Sequence, residues 1–187
     1  PALGVKWTRL PFEWSEIEPE KGKFVWDKYD KIVSFAKESG VSLIPTFRWE
    51  ESQPKWAGPG IAQEGLNRSK YPPKNLKAWG NYVYQVVNRY KDTVKYWIPS
   101  NEPNLSGYWY PKPDAEEYVE LLKVTYQAAK RADPGAKILG VGLSCIDLRF
   151  YEECFKLGAL DYCDAVGSHP YIAGASPDDA YPLFMFD

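Results

Sequence analysis

The chain predicts an α/β fold in which parallel strands are covered by helices. Five short runs rich in β-branched and aromatic residues alternate with four segments of helical periodicity, without an internal repeat or a linker. Such alternation requires crossover connections, which make successive strands parallel. Two architectures share this pattern, an open doubly wound sheet and a barrel. No glycine-rich phosphate-binding loop follows any strand, which weakens the case for a nucleotide-binding open sheet.

The first half of the chain holds two of the predicted strands. Residues 5–10 alternate in polarity and form the first strand. Asp27 caps a helix whose apolar residues recur at i, i+3, i+4 and i+7, and Gly40 ends it. Residues 41–47 form the second strand, and a long loop, 50–73, follows it. Loops of this length in compact domains are usually functional or mobile.

The second half repeats the alternation three times. The strands are predicted at residues 94–98, 136–143 and 164–170. The helices between them begin at the capping residues Asn75, Asp114 and Asp147. Residues 172–187 are predicted to be loop.

Composition excludes several classes of function. The 187 residues carry a net charge of -2 with no charge run, so nothing favours binding to nucleic acid or to an anionic membrane. No apolar run approaches the roughly 20 residues of a membrane span. The three cysteines and the single histidine lack metal-site spacing, and we expect no metal and no cofactor. The chain begins at Pro1 and shows no leader, so a cytoplasmic and an exported enzyme both remain open.

Polar and aromatic side chains recur where the predicted strands end. These residues are Arg9, Arg48 with Trp49, Asn101 with Glu102, Ser144, and His169 with Tyr171. Because the carboxyl ends of parallel strands meet at one edge, we expect these side chains to surround one cavity. Each also has a structural interpretation: an ion pair for Arg9, a packing residue for His169, and a cover of the core edge for Tyr171.

A single glutamate among amide, guanidinium, imidazole and aromatic groups suits cleavage of a glycosidic bond. In that reaction one carboxylic acid protonates the leaving oxygen, and a neighbouring amide binds a sugar hydroxyl. Aromatic residues make up 16% of the chain. They either line a cleft with flat faces for sugar rings or pack the core.

Several motifs in the chain carry a family resemblance. They are Gly4-Val5-Lys6-Trp7-Thr8-Arg9-Leu10, Trp14, Ile17-Glu18-Pro19, Gly22, Trp26-Asp27, Tyr96-Trp97, Asn101-Glu102-Pro103-Asn104 and His169-Pro170-Tyr171. Together they resemble glycoside hydrolase clan A, whose members are (β/α)8 barrels. The local sequence around these motifs is most similar to family 39 and its relatives. The resemblance implies a hydrolase that acts on β-linked oligosaccharides or polysaccharides by a retaining, two-carboxylate mechanism.

The resemblance also implies a role for each matching residue. Glu102 would be the general acid/base, and Asn101 would hold the sugar 2-hydroxyl. Arg9 and Tyr171 would hydrogen-bond the nucleophile, and His169 would line the sugar site. The implied stacking platforms are Trp49 and Trp14, followed by Trp56 and Trp109.

One departure from the family pattern bears on all of these roles. The clan nucleophile is a glutamate that ends the seventh strand, and no glutamate follows Glu153 here. Barrels of this type have roughly 250 residues. We therefore expect residues 1–187 to form one incomplete barrel domain with strands two to six. Two rivals remain, a carbohydrate-binding pseudoenzyme without the nucleophile and an unrelated barrel enzyme such as a phosphate-binding isomerase.

Overall fold

The computed structural model describes residues 4–49, 53–57 and 71–170, and it contains all five predicted strands. The strands are β1 (Trp7–Glu13), β2 (Ser42–Arg48), β3 (Tyr96–Trp97), β4 (Lys137–Ser144) and β5 (Ala165–His169). The helices are α1 (Trp14–Ile17), α2 (Asp27–Glu38), α3 (Leu76–Tyr90), α4 (Ala115–Ala132) and α5 (Leu148–Lys156), with a 3₁₀ helix at Ala159–Tyr162. Among the described residues, no helix combines the length and the hydrophobicity that crossing a membrane requires.

Three of the long helices begin at the predicted caps. The side chain of Asn75 accepts a hydrogen bond from Ala78 N, that of Asp114 from Glu117 N, and that of Asp147 from Phe150 N. These bonds satisfy amides that have no partner within the helix. The prediction for α2 was wrong by one position, because Trp26 is the capping residue and Asp27 is the first residue of the helix.

The strands lie side by side in the order of the sequence, and every pair is parallel. β1 pairs with β2, and β3, β4 and β5 form a second ladder. One parallel bridge between Thr46 and Ile98 joins the two ladders. A doubly wound sheet reverses its strand order at a switch point, whereas a barrel does not. The unreversed order of the described strands is therefore that of a barrel arc, which is not closed within these residues.

A proline explains why the two ladders share so little backbone pairing. At the bridge, Ile98 N donates to Pro45 O at 2.9 Å and Phe47 N donates to Ile98 O at 2.9 Å. The next bond of a parallel ladder would run from the amide of residue 45 to Tyr96 O. Because Pro45 has no N–H, that bond cannot form.

The sheet is strongly curved. Four strand spacings separate β1 from β5, which would be about 19 Å in a flat sheet. Yet Arg9 on β1 lies 3.2 Å from His169 on β5, measured from Nη1 to Nε2. The two side chains together are too short to span a flat sheet of that width, so the strands bend round a common opening.

The core between the sheet and α3 is built from aromatic rings. Trp79 lies at its centre, with ring centroids 5.4 Å from Trp14, 5.2 Å from Trp49 and 6.1 Å from Phe47. Its indole N–H donates to Thr125 Oγ1 at 2.8 Å, so the polar edge of this buried ring is satisfied. All four rings have no exposed surface.

Asp164, just before β5, holds the start of β5 against the start of β4. Its Oδ2 accepts from Ile138 N at 2.8 Å, and its Oδ1 accepts from Lys130 Nζ at 3.0 Å and Lys137 Nζ at 3.3 Å. Partial burial acts to raise the pKa of this carboxyl. The Ile138 amide and the two ammonium groups outweigh burial, and the pKa lies below its ordinary value.

We expect Asp164→Asn to destabilise the complete protein by about 1.5–3 kcal/mol at pH 7, the range for hydrogen bonds to charged groups. Because the folded-state pKa is lowered, this stabilisation is present above the unfolded pKa of about 3.9 and is lost as the pH falls through the lower folded value. Thermal melts at pH 7 and pH 3 check this, since the two proteins should differ less at pH 3. A difference that is independent of pH would contradict the assignment.

Candidate active site

A cavity of about 530 Å³ opens at the carboxyl ends of the strands. Its walls include Arg9, Thr46, Arg48, Asn101, Glu102, Tyr108, Ser144 and His169. Five of the predicted strand ends therefore contribute to one opening, as the parallel arrangement requires. Tyr171 lies outside the described residues.

Glu102 lies in this wall, in the loop after β3. It is 8% exposed, and its backbone has a φ of +41°, a value that residues other than glycine rarely adopt. Its amide donates to Gly142 O at 3.1 Å. Its carboxylate Oε1 lies 2.8 Å from Nδ1 of His169. The side chain is therefore placed by contacts with β4 and β5 as well as by its own loop.

Arg9 connects the other polar groups of the cavity. Its Nε donates to Thr46 Oγ1 at 2.9 Å, and its Nη2 donates to Asn101 Oδ1 at 2.5 Å. Its Nη1 lies 3.2 Å from His169 Nε2. One guanidinium thus bridges β1, β2, the loop after β3, and β5, and it sets which way the Asn101 amide faces.

These contacts assign the proton of the neutral His169 ring. A guanidinium donates hydrogen bonds and cannot accept them, so Nε2 is the acceptor and is unprotonated. The ring proton of the neutral form is then on Nδ1 and is donated to Glu102 Oε1. His169 therefore transmits the orientation imposed by Arg9 to the glutamate.

A bulge in β4 lies directly behind Glu102. The pairing of β4 with β5 shifts register between Gly140 and Leu143, and Val141 has a φ of +49°. Tyr118 Oη accepts a hydrogen bond from Val141 N at 2.6 Å. Bulges re-aim the backbone next to active sites. Here the bulge directs the carbonyl of Gly142 at the amide of Glu102.

The prediction that Trp49 and Trp14 are stacking platforms was wrong. Both rings are 0% exposed, and Trp109 is 1% exposed, so no sugar ring can reach their faces. Trp14 and Trp49 pack against Trp79 of α3, and Trp109 packs against Trp49 and against Tyr118 of α4. Trp56 is partly buried, and its indole N–H donates to Glu18 O at 3.0 Å.

Two polar side chains that line the cavity were missed by the sequence interpretation. Thr46 precedes Arg48 by two positions on β2, and alternate strand residues share a face. That spacing was a usable signal. The ring of Tyr108 also lines the cavity, and the guanidinium carbon of Arg48 lies 5.9 Å from its centroid. No pattern in the sequence distinguishes Tyr108 from the neighbouring aromatic residues of its loop.

Metal ions in proteins are held by groups of His, Cys, Asp or Glu side chains. In the described part of the chain, no group of three or more such side chains is placed to hold a metal ion.

The chain is similar to known carbohydrate-active enzymes. It is 33% identical over 136 residues to a thermostable celloxylanase of Thermoclostridium stercorarium, covering 63% of this chain and 34% of that protein. It is 26% identical over 132 residues to endo-1,4-beta-xylanase 3 of Hypocrea jecorina, covering 67% and 35%. The chain thus spans about a third of the length of these curated relatives.

The fold has equally clear counterparts. A family 39 glycoside hydrolase from Bacteroides cellulosilyticus WH2 superposes with a TM-score of 0.69 at 27% identity, covering 94% of this chain and 34% of that one. This neighbour agrees with the expected likeness to family 39. The sequence itself matches a different family of the same clan, because residues 11–140 fit the family model of Glycosyl hydrolase family 10. With well over half of its residues matched, the chain belongs to glycosyl hydrolase family 10.

Proposed function

We propose that this chain is part of a retaining glycoside hydrolase that cleaves a β-linked polysaccharide, with Glu102 as the general acid/base. The observation that carries the proposal is the placement of Glu102. It lies in the wall of the cavity at the carboxyl ends of the strands, beside Asn101 and 2.8 Å from His169. A general acid needs this combination of a shielded carboxyl and a fixed orientation.

In the proposed reaction Glu102 first protonates the leaving oxygen and then, as a carboxylate, removes a proton from water. His169 donates to the carboxylate form and holds it toward the cavity. Arg9 accounts for the orientation of the Asn101 amide, since its donation directs Oδ1 toward the guanidinium. The Asn101 Nδ2 group is then proposed to donate to the sugar 2-hydroxyl.

The proposed nucleophile is a second carboxylate, on a barrel strand that residues 1–187 do not include. In retaining enzymes the two carboxyl groups lie about 5–5.5 Å apart. We place Arg9 and Tyr171 next to that nucleophile. Residues 1–187 would then be one domain containing strands two to six of a (β/α)8 barrel. The exposure of Trp7 and Tyr96 supports this, because the two rings touch on the concave face, where the remaining strands of a barrel would cover them.

The proposed substrate is xylan or a related β-1,4-linked chain. The support is the relatives' names, which are those of xylanases, together with an open cavity of about 530 Å³ at the strand ends.

Stereochemistry of the product tests the retaining proposal. The complete protein is incubated with a xylo-oligosaccharide, and the anomeric protons are followed by NMR from the first turnovers. We expect the β-anomer to appear first and the α-anomer to grow only as mutarotation proceeds. An α-anomer as first product would contradict the retaining mechanism.

A second candidate is a carbohydrate-binding protein without catalysis. The observation that favours it is that Glu102 contributes the one carboxylate among the described residues that line the cavity. This candidate predicts oligosaccharide binding by calorimetry with no release of reducing sugar over a long incubation. Detectable hydrolysis that depends on Glu102 would exclude it.

A further inference from the structure

The backbone of Glu102 requires external support. Its φ of +41° lies in the left-handed region, where the side chain of an L-residue crowds its own backbone. Two hydrogen bonds hold the peptide groups on either side of it. Glu102 N donates to Gly142 O at 3.1 Å, and Leu105 N donates to Glu102 O at 3.0 Å.

Asn104 adds a contact of a different kind. Its Oδ1 accepts from Ser144 N at 2.9 Å, and its Nδ2 donates to Ser144 O at 3.0 Å. Both backbone groups of one residue are therefore bound by one side-chain amide, as they would be by a neighbouring strand. β4 continues to Ser144 whereas β3 ends at Trp97, so the amide supplies the pairing that β3 no longer provides.

The two contacts share a spacing. Glu102 bonds to Gly142, and Asn104, two residues later, bonds to Ser144, two residues further along β4. The loop is thereby aligned with β4 in parallel register although the intervening Pro103 has no N–H to donate. Nδ2 of Asn104 also donates to Asp147 Oδ2 at 3.2 Å, and Asp147 caps α5 through its other oxygen.

We propose that Asn104 is a positioning residue that holds the general acid/base Glu102 at the distance and angle needed for proton transfer. This inference rests on the proposed function of Glu102. Asn104 does not line the cavity, so it acts through the loop backbone and not on the substrate. Its loss leaves the carboxyl present but displaced, and proton donation depends steeply on geometry.

The test compares two aryl β-xylosides with the complete protein, one with a poor leaving group and one with an activated leaving group. The poor leaving group needs a proton from Glu102, and the activated one does not. For Asn104→Ala we expect kcat/KM on the poor leaving group to fall about 10²-fold, as for a misplacement near 1 Å. On the activated substrate we expect a change of about threefold or less.

The variant Asn104→Asp separates the effect of side-chain size from that of the hydrogen bond donated to Ser144 O. It keeps the size and the acceptor for Ser144 N, but it removes the donation to Ser144 O and sets a charge beside Asp147. It should lose activity on the poor leaving group as Asn104→Ala does. The matched control is Asn81→Ala, at an exposed asparagine on α3, which should leave kcat/KM unchanged on both substrates.

Two results would overturn the inference. Equal losses on both substrates would show that Asn104 only stabilises the fold, and unchanged kinetics would show that the loop needs no such contact. Glu102→Ala is measured in parallel. If Glu102→Ala itself shows no dependence on the leaving group, the proposed function fails and this inference with it. If only the Asn104 variants lack the dependence, the inference alone fails. Should Asn104→Ala not fold, the isosteric Asn104→Asp carries the comparison.

Discussion

Replacing Glu102 with alanine in the complete protein is expected to lower kcat/KM for glycosides with poor leaving groups by about 10²–10⁴-fold, the contribution of a positioned general acid. The reason is that the leaving oxygen then departs without a proton. Glycosides with activated leaving groups should keep their first-step reactivity, because they need little proton donation. The second step should become slow for both, because no base is left to activate water.

Azide provides the decisive measurement. With the carboxyl removed, a small anion can enter the space and attack the glycosyl-enzyme without general base assistance. Azide should therefore raise the turnover of activated substrates by Glu102→Ala and yield a β-glycosyl azide. Glu120→Ala, at the exposed α4 position that faces Lys123, is the matched control and should behave as wild type. A Glu102→Ala variant with unchanged activity on xylan would reject the assignment.

Removing the Trp14 ring is expected to be the most damaging change to stability. The ring is fully buried, stacks on Tyr82 at 5.5 Å and meets Trp56 and Trp79 edge-on. Its indole N–H donates to Glu18 Oε2 at 2.9 Å. Trp14→Ala should destabilise the protein by about 3–5 kcal/mol, the usual effect of deleting a buried aromatic side chain. Thermal or urea melts of the complete protein measure this.

Two further variants show where the effect comes from. Trp14→Phe keeps most of the ring but leaves the buried Glu18 carboxylate without the indole donor, which should destabilise the protein by about 1–3 kcal/mol. Trp26→Ala removes a ring of the same size at a partly exposed position and should destabilise it by about 1 kcal/mol. If Trp14→Ala instead weakened oligosaccharide binding at unchanged stability, Trp14 would be a platform after all.

The sequence was sufficient to predict the gathering of polar residues. Asn101 and Glu102 follow β3 and His169 ends β5, whereas β1 continues to Glu13, so Arg9 lies within its strand and not at the predicted end. Parallel strands nevertheless bring all four side chains to one opening. The alternation of strands and helices was enough to predict that these residues meet, and the structure of the connecting loops was not needed.

The same period shows why the tryptophan prediction failed. Trp49 directly follows Arg48, and successive residues of an extended chain point to opposite sides. Because Arg48 faces the cavity, Trp49 must face the helices, where it contacts Trp79. Closeness to a strand end was therefore the wrong criterion for a cavity residue. The face of the strand on which its side chain lies was the right one.

The bulge in β4 had no comparable signal. Val141 is β-branched and buried, and such residues rarely take a positive φ. What holds it there is the hydroxyl of Tyr118, a residue on α4 and distant in sequence. A single sequence gives no means of foreseeing a contact of this kind, because the pattern around Tyr118 indicates only a buried helix position.

The reach of Arg9 carries a consequence for how this site can evolve. One side chain spans the mouth of the arc, joining its first described strand to its last through His169. Replacing it by an uncharged residue removes both this connection and a positive charge from the wall of the opening. A lysine, with a single ammonium in place of the planar fork, cannot contact Thr46, Asn101 and His169 in the same geometry. The curvature of the sheet therefore limits which residues can replace Arg9, whatever substrate the site binds.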